Sequence, residues 1–363
     1  MCYKYKRFRE FNRDLLSKLD YLRGMTRNPS WLRWIPILTF YRVWNFLLLG
    51  LSFCLARVTR KPAHLGLPYH VSFEPTTACN LGCPECPSGL KQFTRATGKI
   101  NLESHSTWLK SMSPHLMYVT YYFQGEPFLH PQLLSLIVEA KKHRVFTATS
   151  TNAHFIDETN AQDIVRSGLD QLIISVDGVT QEVYEQYRVH GDLEKVWKAT
   201  RALVQAKTRL KSSTPRLIFQ CLAVKPNEAQ IPAVFAKAKE LGVDEVRIKS
   251  AQLYDYENGN PLMPDNEEYR RYRLGKNGKF TLKNAGGNRC WRMWTGCVIT
   301  WDGKIVPCCF DKDAKHTLGS LQNARFTDIW SSESYRQFRN TLLNNRNEID
   351  ICRNCSEGSK VWL

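Results

Sequence analysis

Acidic side chains are scarce: 34 Asp and Glu stand against 51 Lys and Arg in 363 residues, a net charge of +17. The deficit is local, because residues 1–61 hold 13 basic and 3 acidic side chains, 13 minus 3 giving +10. The rest of the chain is only mildly basic, which argues against a polyanion-binding surface along its whole length. Also missing is a secretory signal, since the first thirty residues scatter charge throughout and have no apolar core, so the expected location is the cytoplasm. The most apolar stretch, roughly residues 43–56, falls short of the ~20 residues a spanning helix needs. There is no internal repeat and no low-complexity tail. Twelve cysteines do not read as a disulfide framework, because ten lie after residue 78 and several are adjacent or in C-x2-C pairs. That distribution favours metal in a reducing compartment.

What is present begins with a basic arm, residues 1–66. Residues 1–30 read as a partly amphipathic helix through Phe8, Phe11, Leu15, Leu16, Leu19 and Leu22, ended by Gly24 and Asn28-Pro29. Residues 31–56 are rich in Trp, Leu and Phe, and Arg57, Arg60 and Lys61 follow. Basic flanks around a short apolar body suit a helix lying in the headgroup region, peripheral on the inner face of the cell membrane. Packing against the rest of the protein is the alternative, with spanning and nucleic-acid binding further off, because an oily face matches phosphates poorly.

From residue 67 to 250 strand and helix patterns alternate. Strands are expected at 70–74, 117–123, 146–150, 171–176, 217–224 and 245–249, with helices at 131–143, 158–167, 193–211 and 231–241. The alternation predicts an α/β fold, an incomplete (β/α)6 TIM-type barrel whose strand C-terminal ends hold the site. Residues 251–284 read as a polar connection, and residues 285–363 as a small cysteine-rich domain.

The first barrel strand runs into Cys79-Asn80-Leu81-Gly82-Cys83-Pro84-Glu85-Cys86. C-x3-C-x2-C spacing can put three thiolates on one face of a tight loop. A cubane iron–sulfur cluster takes four ligands, so three leave one iron open to a small molecule. The alternative is a zinc loop, but no fourth Cys or His lies within the fifteen residues after Cys86. With the preceding Glu74-Pro75-Thr76-Thr77-Ala78, this stretch resembles the cluster loop of the radical S-adenosylmethionine (radical SAM) superfamily.

The resemblance implies further roles. Radical SAM proteins commonly carry Gly-Gly-Glu after the second strand to receive the amino group of the bound methionine; here Gln124 replaces the first glycine and Gly125-Glu126 follow. Asn152 and Ser175, at the ends of the third and fourth strands, look like cofactor-contacting positions, Asp177 less so, although such residues also cap helices and turns. Arg188 resembles the arginine that pairs with the methionine carboxylate, its plainer reading being a solvated helix face. The implied reaction takes an electron from a donor such as flavodoxin or ferredoxin into the Cys79/Cys83/Cys86 [4Fe-4S] cluster and cleaves S-adenosylmethionine to a 5′-deoxyadenosyl radical that abstracts hydrogen from substrate.

Cys290, Cys297, the pair Cys308-Cys309, and Cys352-Arg353-Asn354-Cys355 follow, with a hairpin signal at Asp302-Gly303. This pattern resembles the SPASM/twitch extension of radical SAM enzymes in its shorter form. By that resemblance Cys290, Cys308, Cys352 and Cys355 hold an auxiliary [4Fe-4S] cluster. Cys297 and Cys309 are then spare, although Cys309 could replace Cys308, and four-cysteine zinc also fits. Asp311 and Asp313 are weak candidates for taking a proton from an oxidised substrate, against a reading as turn residues. The functions that remain are a membrane-associated radical SAM enzyme acting on a peptide, lipid-linked or sugar-like molecule, an iron–sulfur electron carrier or scaffold, and an RNA-modifying enzyme.

Overall fold

The computed structural model describes residues 35–284 and 286–356, so the helix expected over residues 1–30 lies outside the described residues. Residues 35–37 form a single 3-10 turn within a separate N-terminal unit, residues 1–38. Everything from Thr39 onward belongs to one compact unit.

That unit opens with helix α1 (Phe40–Thr59), N-capped by Thr39, whose hydroxyl accepts from the Arg42 N–H, and ended by Arg60 in the left-handed conformation. The caps make it a 20-residue helix, longer than the apolar run suggested. Its inward face is partly polar. The Arg42 guanidinium donates to the carbonyls of Arg144 (2.7 Å), His143 (2.9 Å) and Ser113 (3.0 Å). Asn45 donates to the Leu67 carbonyl and accepts from its N–H (2.7 and 2.8 Å). Leu49, Phe53 and Ala56 are buried beside them, with Phe53 edge-on to Trp291 and Trp294. Phe40, Val43, Trp44, Leu47, Leu51, Leu55 and Val58 face outward and are exposed. By length and composition this helix is long and apolar enough to cross a membrane, and Arg42 and Asn45 tie it to the barrel.

The six expected βα units form. Strands β1 (His70–Phe73), β2 (Tyr118–Thr120), β3 (Phe146–Thr151), β4 (Gln171–Ser175), β5 (Arg216–Ala223) and β6 (Glu245–Ser250) pair in parallel, each with the next. Short helix α2 (Pro87–Leu90) follows the cysteine loop. The crossovers contain α3 (Leu102–Met112), α4 (Leu133–Lys142), α5 (Glu158–Arg166), α6 (Gln181–Tyr187), α7 (Leu193–Arg209) and α8 (Ile231–Leu241). Local chemistry sets their bounds: Asp157 and Asn160 close a capping box on α5, Asp192 caps α7, and Gly242 ends α8 at φ +75°.

Two features depart from the sequence reading. Residues 251–284 are not a loose connection. The β7–β8 hairpin (Tyr272–Leu274, Phe280–Leu282) sits there, Tyr256 stacks on Tyr272 with centroids 4.2 Å apart, and Leu253, Met263, Tyr272 and Leu282 join a buried cluster with Leu81 and Cys83. This segment covers the cysteine loop. The C-terminal hairpin forms as expected, with a short helix α9 (Arg292–Thr295) leading into β9 (Gly296–Ile299) and β10 (Lys304–Val306), but it continues the barrel sheet. β9 pairs in parallel with β1, and β11 (Gly319–Ser320) ends a nine-stranded sheet of order β11-β10-β9-β1-β2-β3-β4-β5-β6. An unclosed barrel leaves β1 with unpaired backbone groups, and the hairpin satisfies them. Helices α10 (Phe326–Trp330), α11 (Glu333–Asn345) and α12 (Asp350–Arg353) complete the C-terminal layer. Its centre is the buried Arg339 guanidinium, 4.5 Å from the Trp330 ring and 4.6 Å from Tyr335.

Candidate active site

The cysteine loop leaves the C-terminal end of β1 and is clamped at its base. The fully buried Glu74 carboxylate takes a two-pronged pair from Arg95 (2.5 and 2.8 Å) and the Trp301 N–H (3.3 Å). The Glu74 N–H donates to Ile299 on β9 (2.9 Å). Glu74 therefore ties the start of the loop to its return segment and to the C-terminal hairpin. The sequence reading gave Glu74 no such task, because Arg95 belongs to no recognisable motif.

Cys79, Cys83 and Cys86 lie together within this loop, with Cys83 buried and the other two half-buried. Burial pushes the Cys79 thiol up to about 11, and raises Cys83 against the opposing pull of Arg188. Lone thiolates are disfavoured in such a place, and bound iron supplies the charge that stabilises them. Gly125 stands against the loop at φ +76°, where a Cβ would come 2.3 Å from the Thr76 carbonyl oxygen. Its lack of a side chain thus serves the close approach of two backbone segments, which the Glu126 N–H bond to the Ala78 carbonyl (2.7 Å) completes. Gln124, in place of a glycine, lays its amide oxygen 3.4 Å from Ser88 Oγ and 3.9 Å from Cys86 Sγ.

The Glu126 carboxylate is buried and accepts from Thr151 Oγ1 (2.7 Å), the Asn152 N–H (2.7 Å) and the Phe128 N–H (3.1 Å). Burial raises its pKa despite these donors. With about four acceptor positions on a carboxylate, one on Oε2 stays open for a ligand ammonium. Asn152 Nδ2 donates to Asn80 Oδ1 (2.8 Å), linking the end of β3 to the cysteine loop. Ser175 is buried at the end of β4. Arg188 is no solvated arginine: Nε pairs with Asp177 at 2.5 Å and Nη1 lies 3.8 Å from Cys83 Sγ, a cation held over the cysteine site. Gly125, Glu126, Asn152 and Ser175 thus end or follow β2, β3 and β4, while Arg188 stands at the C-terminal end of α6.

At the C-terminus, Cys290, Cys308, Cys352 and Cys355 line one pocket, walled by Met293, Phe310, Phe338 and Leu342. Neither spare cysteine joins them. Cys297 is buried in β9 beside Tyr335 and Arg339, its thiol pushed up to about 12 by burial. Cys309 is exposed, 3.0 Å from Arg292 Nη1. Among the described residues no three His, Cys, Asp or Glu converge tightly enough to grip a single ion. Four thiols around one pocket supply the four-thiolate donor set that a [4Fe-4S] cubane takes.

Asp311 and Asp313 have other occupations. Asp311 is buried and accepts from the N–H groups of Lys315 (2.8 Å) and His316 (2.9 Å). Asp313 accepts from the N–H and hydroxyl of Thr94. Both hold loops, the turn role weighed against proton transfer.

A cavity of about 330 Å³ lies between Glu85 of the N-terminal cysteine loop and Cys308 of the C-terminal set. Glu85 and Tyr187 line it beside the N-terminal loop, Ser72 and Tyr122 from the strands, and Cys308 and Cys309 from the C-terminal side.

Comparison with known proteins agrees with this arrangement. The radical SAM superfamily matches residues 73–217, and the iron–sulfur cluster-binding SPASM domain matches residues 290–356. The chain is a radical SAM enzyme with a C-terminal SPASM domain. The PqqA peptide cyclase of Gluconobacter oxydans is 24% identical to it over 81% of this chain and 84% of its own. The mycofactocin maturase MftC of Mycobacterium tuberculosis is 23% identical over 76% and 73%. Among solved structures, anSMEcpe with bound AdoMet superposes with TM-score 0.58, 18% identity, covering 81% of this chain and 92% of that one. Streptococcus suis SuiB bound to its precursor peptide SuiA gives 0.58, 14% identity, 81% and 70%.

A radical SAM enzyme with a SPASM domain uses S-adenosylmethionine, a SAM-binding [4Fe-4S] cluster and auxiliary iron–sulfur centres. The residues fit both kinds of centre. Cys79, Cys83 and Cys86 would hold the first cluster, leaving one iron for the cofactor that Glu126 would orient through its ammonium. Cys290, Cys308, Cys352 and Cys355 would hold an auxiliary one. When bound, these groups supply reductive cleavage of S-adenosylmethionine and hydrogen-atom abstraction by the resulting 5′-deoxyadenosyl radical.

Proposed function

We propose that this radical SAM enzyme abstracts hydrogen from a substrate seated in the cavity between its two cysteine sites, while docked on the inner face of the cytoplasmic membrane through α1. The observation that carries the first part is the cavity itself, since Glu85 of the N-terminal cysteine loop and Cys308 of the C-terminal set both line it. Ser72 and Tyr122 would set the substrate's position, and the cover formed by residues 251–284 would limit water. The reducing electron would come from a flavodoxin- or ferredoxin-type donor. Anaerobic reconstitution with iron, sulfide, a strong reductant and S-adenosylmethionine tests this. About eight irons per chain and formation of 5′-deoxyadenosine are expected; clusters without 5′-deoxyadenosine would sink the reading.

The membrane part rests on the orientation of α1. A soluble surface helix exposes a polar face, whereas this one buries Arg42, Asn45 and Ser52 among Leu49, Phe53 and Ala56 and exposes tryptophan and leucines. Arg57, Arg60 and Lys61 at its C-terminal end suit anionic headgroups. A lipid-linked or other membrane-presented substrate fits this placement. The peptide cyclase and the SuiA-bound neighbour favour a peptide as the second reading.

Leu47 and Leu51 are 57% and 51% exposed, so glutamate at both positions should leave the fold intact. Each exchange removes an inserted side chain contributing about 1.5–3 kcal/mol and adds a repelled charge. Flotation with anionic vesicles should therefore recover the wild type, and the double variant at least about 100-fold less. Equal recovery of the two proteins, or no recovery of either, would exclude docking through this face.

A further inference from the structure

We propose that Asp177 is a positioning residue that holds Arg188 against Cys83, and that the pair sets the reduction potential of the cluster at Cys79, Cys83 and Cys86. The inference goes beyond the substrate and membrane readings and needs only that cluster.

Arg188 is fixed from two sides. It stands at the C-terminal end of α6, and the carbonyl of the next residue, Val189, accepts from the Gly82 N–H at 2.9 Å. The residue before Cys83 is thus bonded to the residue after Arg188. The side chain is aimed by Asp177, whose Oδ2 accepts from Arg188 Nε at 2.5 Å. Nη1 then lies 3.8 Å from Cys83 Sγ, and the guanidinium carbon 5.6 Å from the Tyr187 ring centroid. Asp177 is itself held on both oxygens and on its backbone. It has no exposed side-chain surface, its Oδ1 accepts from the Leu222 N–H on β5 at 2.6 Å, and its carbonyl accepts from Asn227 Nδ2 at 3.1 Å. The Leu222 N–H needs only a neutral acceptor, and a charge buried without a partner is costly. The charge on Asp177 is therefore accounted for by Arg188.

Carboxylate and sulfur meet the guanidinium on different edges, Nε on one and Nη1 on the other. The cluster therefore has the cation between itself and the carboxylate. Iron–sulfur potentials follow the charge around the cluster and the donors to its sulfurs. Reduction by one electron adds a negative charge, so a cation beside a ligand sulfur stabilises the reduced form and raises the potential. Asp177 pulls the other way from farther off, and Coulomb energy falls with distance. The pair does not cancel, and its net effect is to ease reduction by a low-potential donor. The role implied for Arg188 by resemblance, pairing with the cofactor's carboxylate, predicts no effect on the cluster before the cofactor binds.

The test is a reductive titration of the full-length, anaerobically reconstituted protein without S-adenosylmethionine, followed by electron paramagnetic resonance, with iron measured on the same samples. Cys308→Ser, expected to lack the auxiliary cluster, shows which signal belongs to the N-terminal one. R188Q should lower the reduction equilibrium constant of that cluster at least about tenfold, a downward shift of about 59 mV. R188K keeps the charge but loses the fork, so it should lower the constant less. D177N keeps the shape and one acceptor while removing the opposing charge, so it should raise the same constant by about threefold or more. The auxiliary cluster should stay at its wild-type potential in each. A side chain that only supports the fold would move neither variant, or both in one direction. An unchanged potential in R188Q, or a downward shift in D177N, would overturn the proposal. If R188Q takes up no N-terminal cluster, the sign of the D177N shift decides alone. Loss of that cluster from both variants would make the pair a holder of the loop instead and would equally overturn the proposal.

Discussion

Glu74→Ala should strip the N-terminal cluster and destabilise the fold by about 3–5 kcal/mol, the usual cost of removing one partner from a buried ion pair. Glu74 has no exposed side-chain surface and Arg95 only 7%. Arg95 is wedged by the rings of Phe93 and Phe123, 4.7 and 5.7 Å from its guanidinium carbon, and its Nε already lacks a partner among the described residues. Alanine would leave that cation buried without a counter-charge and would remove the acceptor of the Trp301 N–H. The cysteine loop would then lose one of its links to its return segment, leaving the Thr77–Gly98 and Pro75–Ile100 hydrogen bonds, and, through Trp301, part of its link to the hairpin. Thermal unfolding of the unreconstituted protein should show the lowered stability, and reconstituted iron should fall from about eight to about four per chain. Glu74→Gln keeps the shape and one acceptor, so its loss should be smaller. An alanine variant with unchanged melting and full iron would show that the clamp does not hold the loop.

The barrel was legible because each βα unit carries its own local pattern. Buried parallel strands such as Leu172-Ile173-Ile174 are continuous apolar runs, and Asp157 and Asp192 announce the helices they cap. The grouping of Cys79, Cys83 and Cys86 follows from their short spacing, whereas that of Cys290, Cys308, Cys352 and Cys355 came from the resemblance to the SPASM/twitch pattern. Illegible features depend on partners far apart in sequence. Nothing local says that β9 joins β1, since the register His70↔Gly296 links positions 226 residues apart. Arg95 and Asp313 look like ordinary surface charges until the fold sets them against Glu74 and Thr94. The composition of α1 was plain, but which face turned outward was not, because Arg42 and Asn45 read as interruptions of an oily helix. They are its anchors. Residues 251–284 misled through polarity, the few apolar side chains that bind them to the cysteine loop being spread among glycines and asparagines.

Cys308→Ser and Cys309→Ser should separate sharply, although the two residues are adjacent. Cys308 lines the apolar pocket with Cys290, Cys352 and Cys355, while Cys309 is exposed towards the central cavity beside Arg292. A serine hydroxyl is a poor substitute for a thiolate on iron, so the first variant should lose the auxiliary cluster and about four of about eight irons. The second should keep the full complement. Cluster binding is also folding free energy for the segment that supplies the ligands, so residues 290–356 should become protease-sensitive in Cys308→Ser. The barrel should survive, because β9 remains hydrogen-bonded to β1 and Arg339 still fills the layer behind it. Limited proteolysis with iron analysis of both variants decides the matter. Full iron in Cys308→Ser with loss in Cys309→Ser would exchange the two assignments, and loss in neither would remove this pair from the cluster altogether.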